Sequence, residues 1–212
     1  MSDANNKIYL YKARDADVVA ILRRGLRRQD WHLMKWTFES IDLSTLRVSR
    51  GLTDSADLST LRVSRGQWLM GKWMTPANLC ISPDGKFFGY NYSIYGKGGY
   101  ECYGVVSRLP EFTAVAVGDD WPGAWDLVRF NADGSLSERM YDHQSWRLKG
   151  VAEDLKIEPR AGKLAPTGFI HPSDSWVDPL GRRITVDGYQ ILADGVCILD
   201  TTDYVFEEVA PV

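Results

Sequence analysis

The chain has 212 residues, of which 44% are hydrophobic, 12% aromatic and 25% charged. That is a globular composition with ample core material, 8 tryptophans included, and it excludes a disordered polar chain. The net charge of −3 hides an asymmetry: from Lys7 to Met74 basic residues outnumber acidic ones 13 to 7, and from Thr75 to Val212 acidic outnumber basic 20 to 12. The acidic balance speaks against a dedicated nucleic-acid binder.

Residues 1–6 are polar with no apolar stretch behind them, which predicts a disordered start and no secretory signal. No apolar run is long enough to span a membrane. Cys80, Cys102 and Cys197 form no CxxC pair and no metal-ligand spacing. A reduced cytoplasmic protein without metal or cofactor is expected, with residues 7–212 as a single domain.

In chain order the elements are mostly strands. Residues 7–12 and 18–24 read as the first two, with a short helix over 15–26 as the alternative for the second. Residues 32–38 form a third, placing Leu33, Lys35 and Thr37 on one face and Met34, Trp36 and Phe38 on the other. Residues 42–51, DLSTLRVSRG, recur letter for letter at 57–66. The offset of fifteen is odd, so one continuous strand through both copies would put Leu46 and Leu61 on opposite faces. One copy is therefore expected in a sheet, the second by preference, and the other in an added edge strand, hairpin or loop. Residues 67–74 read as a strand with Gly71 as a bulge.

Four Asp-Gly pairs follow, at 84–85, 133–134, 187–188 and 194–195. Each predicts a hairpin turn of type I′, because glycine accepts positive φ freely. They join residues 79–82 to 86–95, 127–130 to 136–141, 184–186 to 189–192, and 189–192 to 196–199. Residues 100–106 add a further strand. Residues 151–157 carry a weak helical pattern, and 148–168 reads as a long surface connection.

Many short strands punctuated by turns predict an all-β fold, a propeller-like β-meander with a β-sandwich as the alternative. Ser82-Pro83-Asp84-Gly85-Lys86 resembles the blade hairpin of WD40-like and periplasmic-translocation β-propellers, and residues 131–135 echo it about one blade later. Gly66-Gln67-Trp68, the Ser-Pro-Asp-Gly turn and Val106-Ser107-Arg108-Leu109-Pro110 occur in the order seen in a family of uncharacterised bacterial proteins. The chain resembles that family over about residues 7–210. The resemblance implies no activity and no catalytic residues.

The strongest binding candidate is the acidic aromatic loop holding Asp119, Asp120, Trp121, Trp125 and Asp126, where Pro and Gly present two indoles among three carboxylates. The same residues also suit core-capping tryptophans and turn aspartates. Arg23, Arg24, Arg27 and Arg28 form the densest basic cluster, read mainly as an internal partner of the acidic half. No nucleophile-and-base signature surrounds Cys102, Ser107 or Ser145, nor His32, His143 or His171. Glu207 and Glu208 alternate along a strand and cannot flank one substrate. The expectation is a non-catalytic interaction module of immunity or adaptor type, taking a protein partner on an acidic, tryptophan-bearing surface. A carbohydrate- or nucleotide-binding protein or hydrolase using the Trp121–Trp125 loop is the alternative.

Overall fold

The computed structural model describes residues 7–25, 29–38, 61–96, 99–118, 128–137, 146–148, 153–158 and 163–204. Sixteen strands are described: β1 (Ile8–Lys12), β2 (Val18–Arg24), β3 (Trp31–Phe38), β4 (Leu61–Leu69), β5 (Cys80–Ile81), β6 (Phe87–Gly96), β7 (Gly99–Arg108), β8 (Ala114–Gly118), β9 (Leu136–Ser137), β10 (Trp146–Leu148), β11 (Ile157–Glu158), β12 (Phe169–Ile170), β13 (Trp176–Val177), β14 (Arg183–Asp187), β15 (Gln190–Ala193) and β16 (Val196–Asp200). The fold is all-β, as expected. Among the described residues no sheet closes into a barrel, and no helix is long and apolar enough to cross a membrane.

Three antiparallel sheets run as meanders. Their orders are β12-β1-β2-β3-β4, β10-β8-β7-β6-β5 and β13-β14-β15-β16, and β9 pairs with β11 in parallel. The sheets stack face to face. One face of β1–β3 buries Tyr9, Tyr11, Leu22, Trp31 and Leu33 against Ile81, Phe88, Tyr90 and Val105 of the second sheet. The opposite face buries Ile8, Leu10, Ile21, Met34 and Trp36 against Ile184, Ile191 and Ala193 of the third. The far face of the second sheet packs Phe87, Val106 and Ala116 on Phe130, Leu136 and Leu155.

This layering explains the sequence of the first two strands. Ile8, Tyr9, Leu10 and Tyr11 are all buried, as are Val18 through Leu22, because a sheet covered on both sides needs apolar residues at every position. That uninterrupted run invited the helical alternative for residues 15–26, which does not form. The assignment of β3's two faces holds: Leu33 joins one core, and Met34, Trp36 and Phe38 join the other.

Other expectations are corrected. The strand expected at 67–74 begins earlier and stops at Leu69, and Gly71 is a left-handed turn residue at φ 67° rather than a bulge. Of the four Asp-Gly pairs, only Asp194-Gly195 has positive φ at both residues, at 49° and 81°. It is the two-residue type I′ loop between Ala193 and Val196. At the preceding hairpin Asp187 still pairs with Gln190, so the loop residues are Gly188 and Tyr189, with glycine first. The turns at Gly85 and Gly134 are closed by main-chain bonds, from Gly85 N to Ser82 O and from Gly134 N to Asn131 O, and are braced by side chains: Ser82 Oγ accepts the Lys86 and Phe87 amides, and Asp133 accepts the Ser135 amide.

The expected surface connection at 148–168 is also overturned. Leu155 and Ala165 are buried, and residues 163–170 form a seam across three layers. The Ala165 amide bonds Phe130 O, Thr167 O accepts from Ile81, Gly168 O accepts from Lys12, and β12 then pairs with β1. Gly168 sits at φ 74° where an added Cβ would collide with Lys12 O and lie 2.8 Å from Ile81 Cγ2. Only glycine passes that crossing.

The second copy of the duplication supplies the start of β4, with Leu61 through Arg65 paired to Phe38 through Met34. The first copy lies outside the described residues.

Candidate functional site

The loop residues Asp119, Asp120, Trp121, Trp125 and Asp126 lie outside the described residues, as do Arg27, Arg28, His143, Ser145, Glu207 and Glu208. The other candidates are placed, and most serve the fold. Arg23 is 1% exposed. Its Nε donates to Thr201 O at 3.0 Å and to Thr201 Oγ1 at 3.2 Å, and its guanidinium lies 4.7 Å from the Tyr189 ring and 5.5 Å from that of Trp68. Burial lowers its pKa. The charge is held by carbonyls and π faces and clasps the first sheet to the third.

His32 belongs to the same clasp. Its ring stacks on Trp68 at 4.7 Å with an interplanar angle of 4°, and Nε2 lies 3.2 Å from Gly66 O. Desolvation pushes its pKa down to about 4, against the pull of the Gly66 carbonyl and with Arg23 and Arg65 adding repulsion. The imidazole is neutral at pH 7, and its buried Nδ1 has no hydrogen-bond partner. A base sealed between two sheets cannot reach a substrate.

The remaining nucleophile and base candidates are similarly engaged. Ser107 is wholly buried. Burial pushes the Cys80 thiol up to about 12, and its Sγ donates to Val128 O. At the exposed turn after β12, His171 Nδ1 lies 2.7 Å from Ser173 Oγ and accepts the Ser173 amide, which closes the turn. Among the described residues no group of three His, Cys, Asp or Glu side chains is placed to hold a metal ion.

The Gly-Gln-Trp and Ser-Pro-Asp-Gly segments have structural duties. A Cβ on Gly66 would strike Pro110 O and come within 2.7 Å of Leu33 O. Gln67 Oε1 accepts the Phe112 amide at 2.9 Å and the Thr113 hydroxyl at 3.2 Å. Trp68 covers His32. Together they dock β4 onto the turn after β7. The Ser82–Gly85 turn packs on Val18 and accepts the Asp15 amide through Pro83 O.

A cleft opens at the edge of β6, lined by Trp73, Thr75, Asn78, Asn91, Ser93 and Cys102. The chain first pairs Trp73 with Ser93 across both backbone bonds, at 3.1 and 2.9 Å. It then swings out through a short 3-10 turn at Pro76–Asn78 and returns as β5. Tyr11 Oη donates to Pro76 O at 2.7 Å and anchors the excursion to the core, while Trp31 Nε1 donates to Lys72 O. The gap between excursion and sheet is the cleft, with the paired Ser93 and Cys102 on the adjoining strands.

The enclosed part of the cleft is about 20 Å³, room for about one water, and the rest lies open to solvent at its mouth. Its lining is neutral: an indole, two carboxamides, two hydroxyls and a thiol. Ser93 Oγ lies 3.6 Å from Cys102 Sγ. Sequence reasoning missed this site, because Trp73, Thr75 and Asn78 meet Asn91, Ser93 and Cys102 only through strand pairing.

No family model, curated protein or solved structure matches this chain.

Proposed function

We propose that this chain is a non-catalytic interaction module of immunity or adaptor type, which covers a protein partner with an acidic and apolar surface. The carrying observation is the outer face of the C-terminal sheet. Its inner residues Ile184, Ile191 and Ala193 are buried against the first sheet. The alternate row pairs Thr185, Leu192 and Cys197, and Val177 pairs with Arg183. Val177 is 62% exposed on this face, and Leu180 and Cys197 are exposed as well. Asp187, Asp194 and Asp200, all exposed, stand at the strand ends. Hydrogen bonds from Thr202 and Gln190 hold the Asp200 carboxyl below the usual carboxylate range.

An apolar centre within acidic strand ends fits a partner with an apolar centre and a basic rim. The meander connectivity and face-to-face stacking support a propeller-like arrangement of the sheets as part of this proposal. The loop at Asp119–Asp126 adds a second acidic aromatic segment, argued from sequence alone. The engagement of His32, Ser107 and Cys80 in packing supports a role without catalysis.

Affinity capture from the native cell tests the proposal, comparing the wild type with V177D/C197D. Capture of one stoichiometric basic-surfaced protein, weakened by salt and lost in the variant, is expected. Recovery of no stoichiometric protein, or capture equal for both baits, refutes it.

A further inference from the structure

We propose that the open mouth of the cleft between β6 and the Pro76–Asn78 excursion binds one neutral sugar ring, stacked on the indole of Trp73 with a single hydroxyl entering the enclosed space. This site belongs to the second sheet and is independent of the proposed partner face on the third.

Three observations carry the inference. The first is the platform. Trp73 is 45% exposed although its backbone is fixed by two hydrogen bonds to Ser93. Its side chain adds no packing to the core clusters. A rigidly mounted, solvent-facing indole suits a flat ligand face bearing C–H groups.

The second is the Thr75 hydroxyl. Thr75 occupies the N-cap position of the 3-10 turn, where a hydroxyl ordinarily caps, yet its side chain makes no capping bond. Thr75 lines the cleft with its hydroxyl unspent on the turn, as does Asn78 at the end of the same turn. Hydroxyls and carboxamides each offer both donor and acceptor atoms, which is what sugar hydroxyls require.

The third is the absence of charge from the lining. The nearby ionic groups are turned to the opposite face of the sheet: Lys72 Nζ lies 5.0 Å over the Tyr92 ring, and Glu101 accepts from the Tyr103 hydroxyl. Tyr92 and Tyr103 pack against the core between the first and second sheets, whereas Asn91 and Ser93, one position along the strand on either side of Tyr92, line the cleft. A phosphate, carboxylate or ammonium entering this cleft would lose water without gaining a counter-charge. A neutral polyhydroxyl ring incurs no such penalty.

Saturation-transfer NMR tests the proposal on the full chain, with glucose, galactose and N-acetylglucosamine as probes and glucose 6-phosphate and glucuronate as charged controls. Transfer to at least one neutral sugar is expected. W73A should abolish it, and T75V should weaken binding about fivefold, the loss of one hydrogen bond. Both variants should keep the wild-type urea midpoint, since neither side chain is part of the packing described. Transfer to no neutral sugar, transfer that survives W73A, or equal transfer to the charged controls overturns the proposal.

Discussion

Acidification forces a proton onto His32, which sits between two sheets with arginines on either side. Its pKa is about 4 in the folded chain and 6.5 for an ordinary histidine. The unfolded chain therefore takes up a proton near pH 6.5 that the folded chain refuses until about pH 4. Stability is fully present above pH 6.5 and falls through that window by about 1.4 kcal/mol per pH unit. Below pH 4 both states are protonated and the loss levels off at about 3 kcal/mol. Arg23 and Arg65 face the ring, with Tyr204 at 6.1 Å, so among the described residues no anion in the clasp offsets the new charge. Carboxylates contribute in a lower window: hydrogen bonds to Asp133 from Ser135, to Asp154 from Arg108 and to Asp200 from Thr202 hold these groups below their ordinary value. Urea unfolding between pH 7.5 and 4 measures the effect. The control is H32F, which retains an aromatic ring against Trp68 and cannot titrate. The wild type should lose about 3 kcal/mol more than H32F across the window. Equal losses in the two proteins would refute the argument.

Gly66→Ala drives a methyl group into Pro110 O and toward Leu33 O, both backbone atoms that cannot step aside. A loss of about 3 kcal/mol or more is expected in urea unfolding, and a change under about 0.5 kcal/mol would contradict the close approach. Deleting residues 42–56 keeps the copy that forms β4 and restores the same local sequence after Ile41. It shortens the connection between β3 and β4 from 22 residues to 7. Loop closure then favours the deletion by about 1 kcal/mol. Cooperative thermal unfolding at an equal or higher midpoint is expected, and a non-cooperative transition would show that the extra residues are needed.

Turn positions were the most legible part of the fold, although only one of the four Asp-Gly pairs forms the expected type I′ loop. Asp194-Gly195 specifies a type I′ loop locally, and the two flanking strands follow from it. The face assignment of β3 was legible for a related reason: alternation is a property of the strand itself. Strand boundaries were less so. Gly71 reads equally as bulge or turn until its φ of 67° is known. The identical copies were indistinguishable in themselves. What separates them is what comes next, since Gln67 caps the turn after β7 and Trp68 covers His32, whereas Leu52 and Thr53 have neither chemistry.

The sequence by itself determined an all-β chain, the turns closed by glycine and aspartate, and enough apolar residues for more than one core. Those are local properties, set by backbone torsion and side-chain type. Tertiary structure decided which strands lie between two layers and so are buried on both faces. It made Arg23, read from the sequence as a partner of the acidic half, and His32 into a buried clasp held by carbonyls and rings, because stacking the third sheet removed water from both. It also made residues 163–170 a seam and opened the Trp73 cleft, both of which depend on pairing between residues far apart in the chain. Pairing of that kind leaves no periodic signal in either partner's sequence.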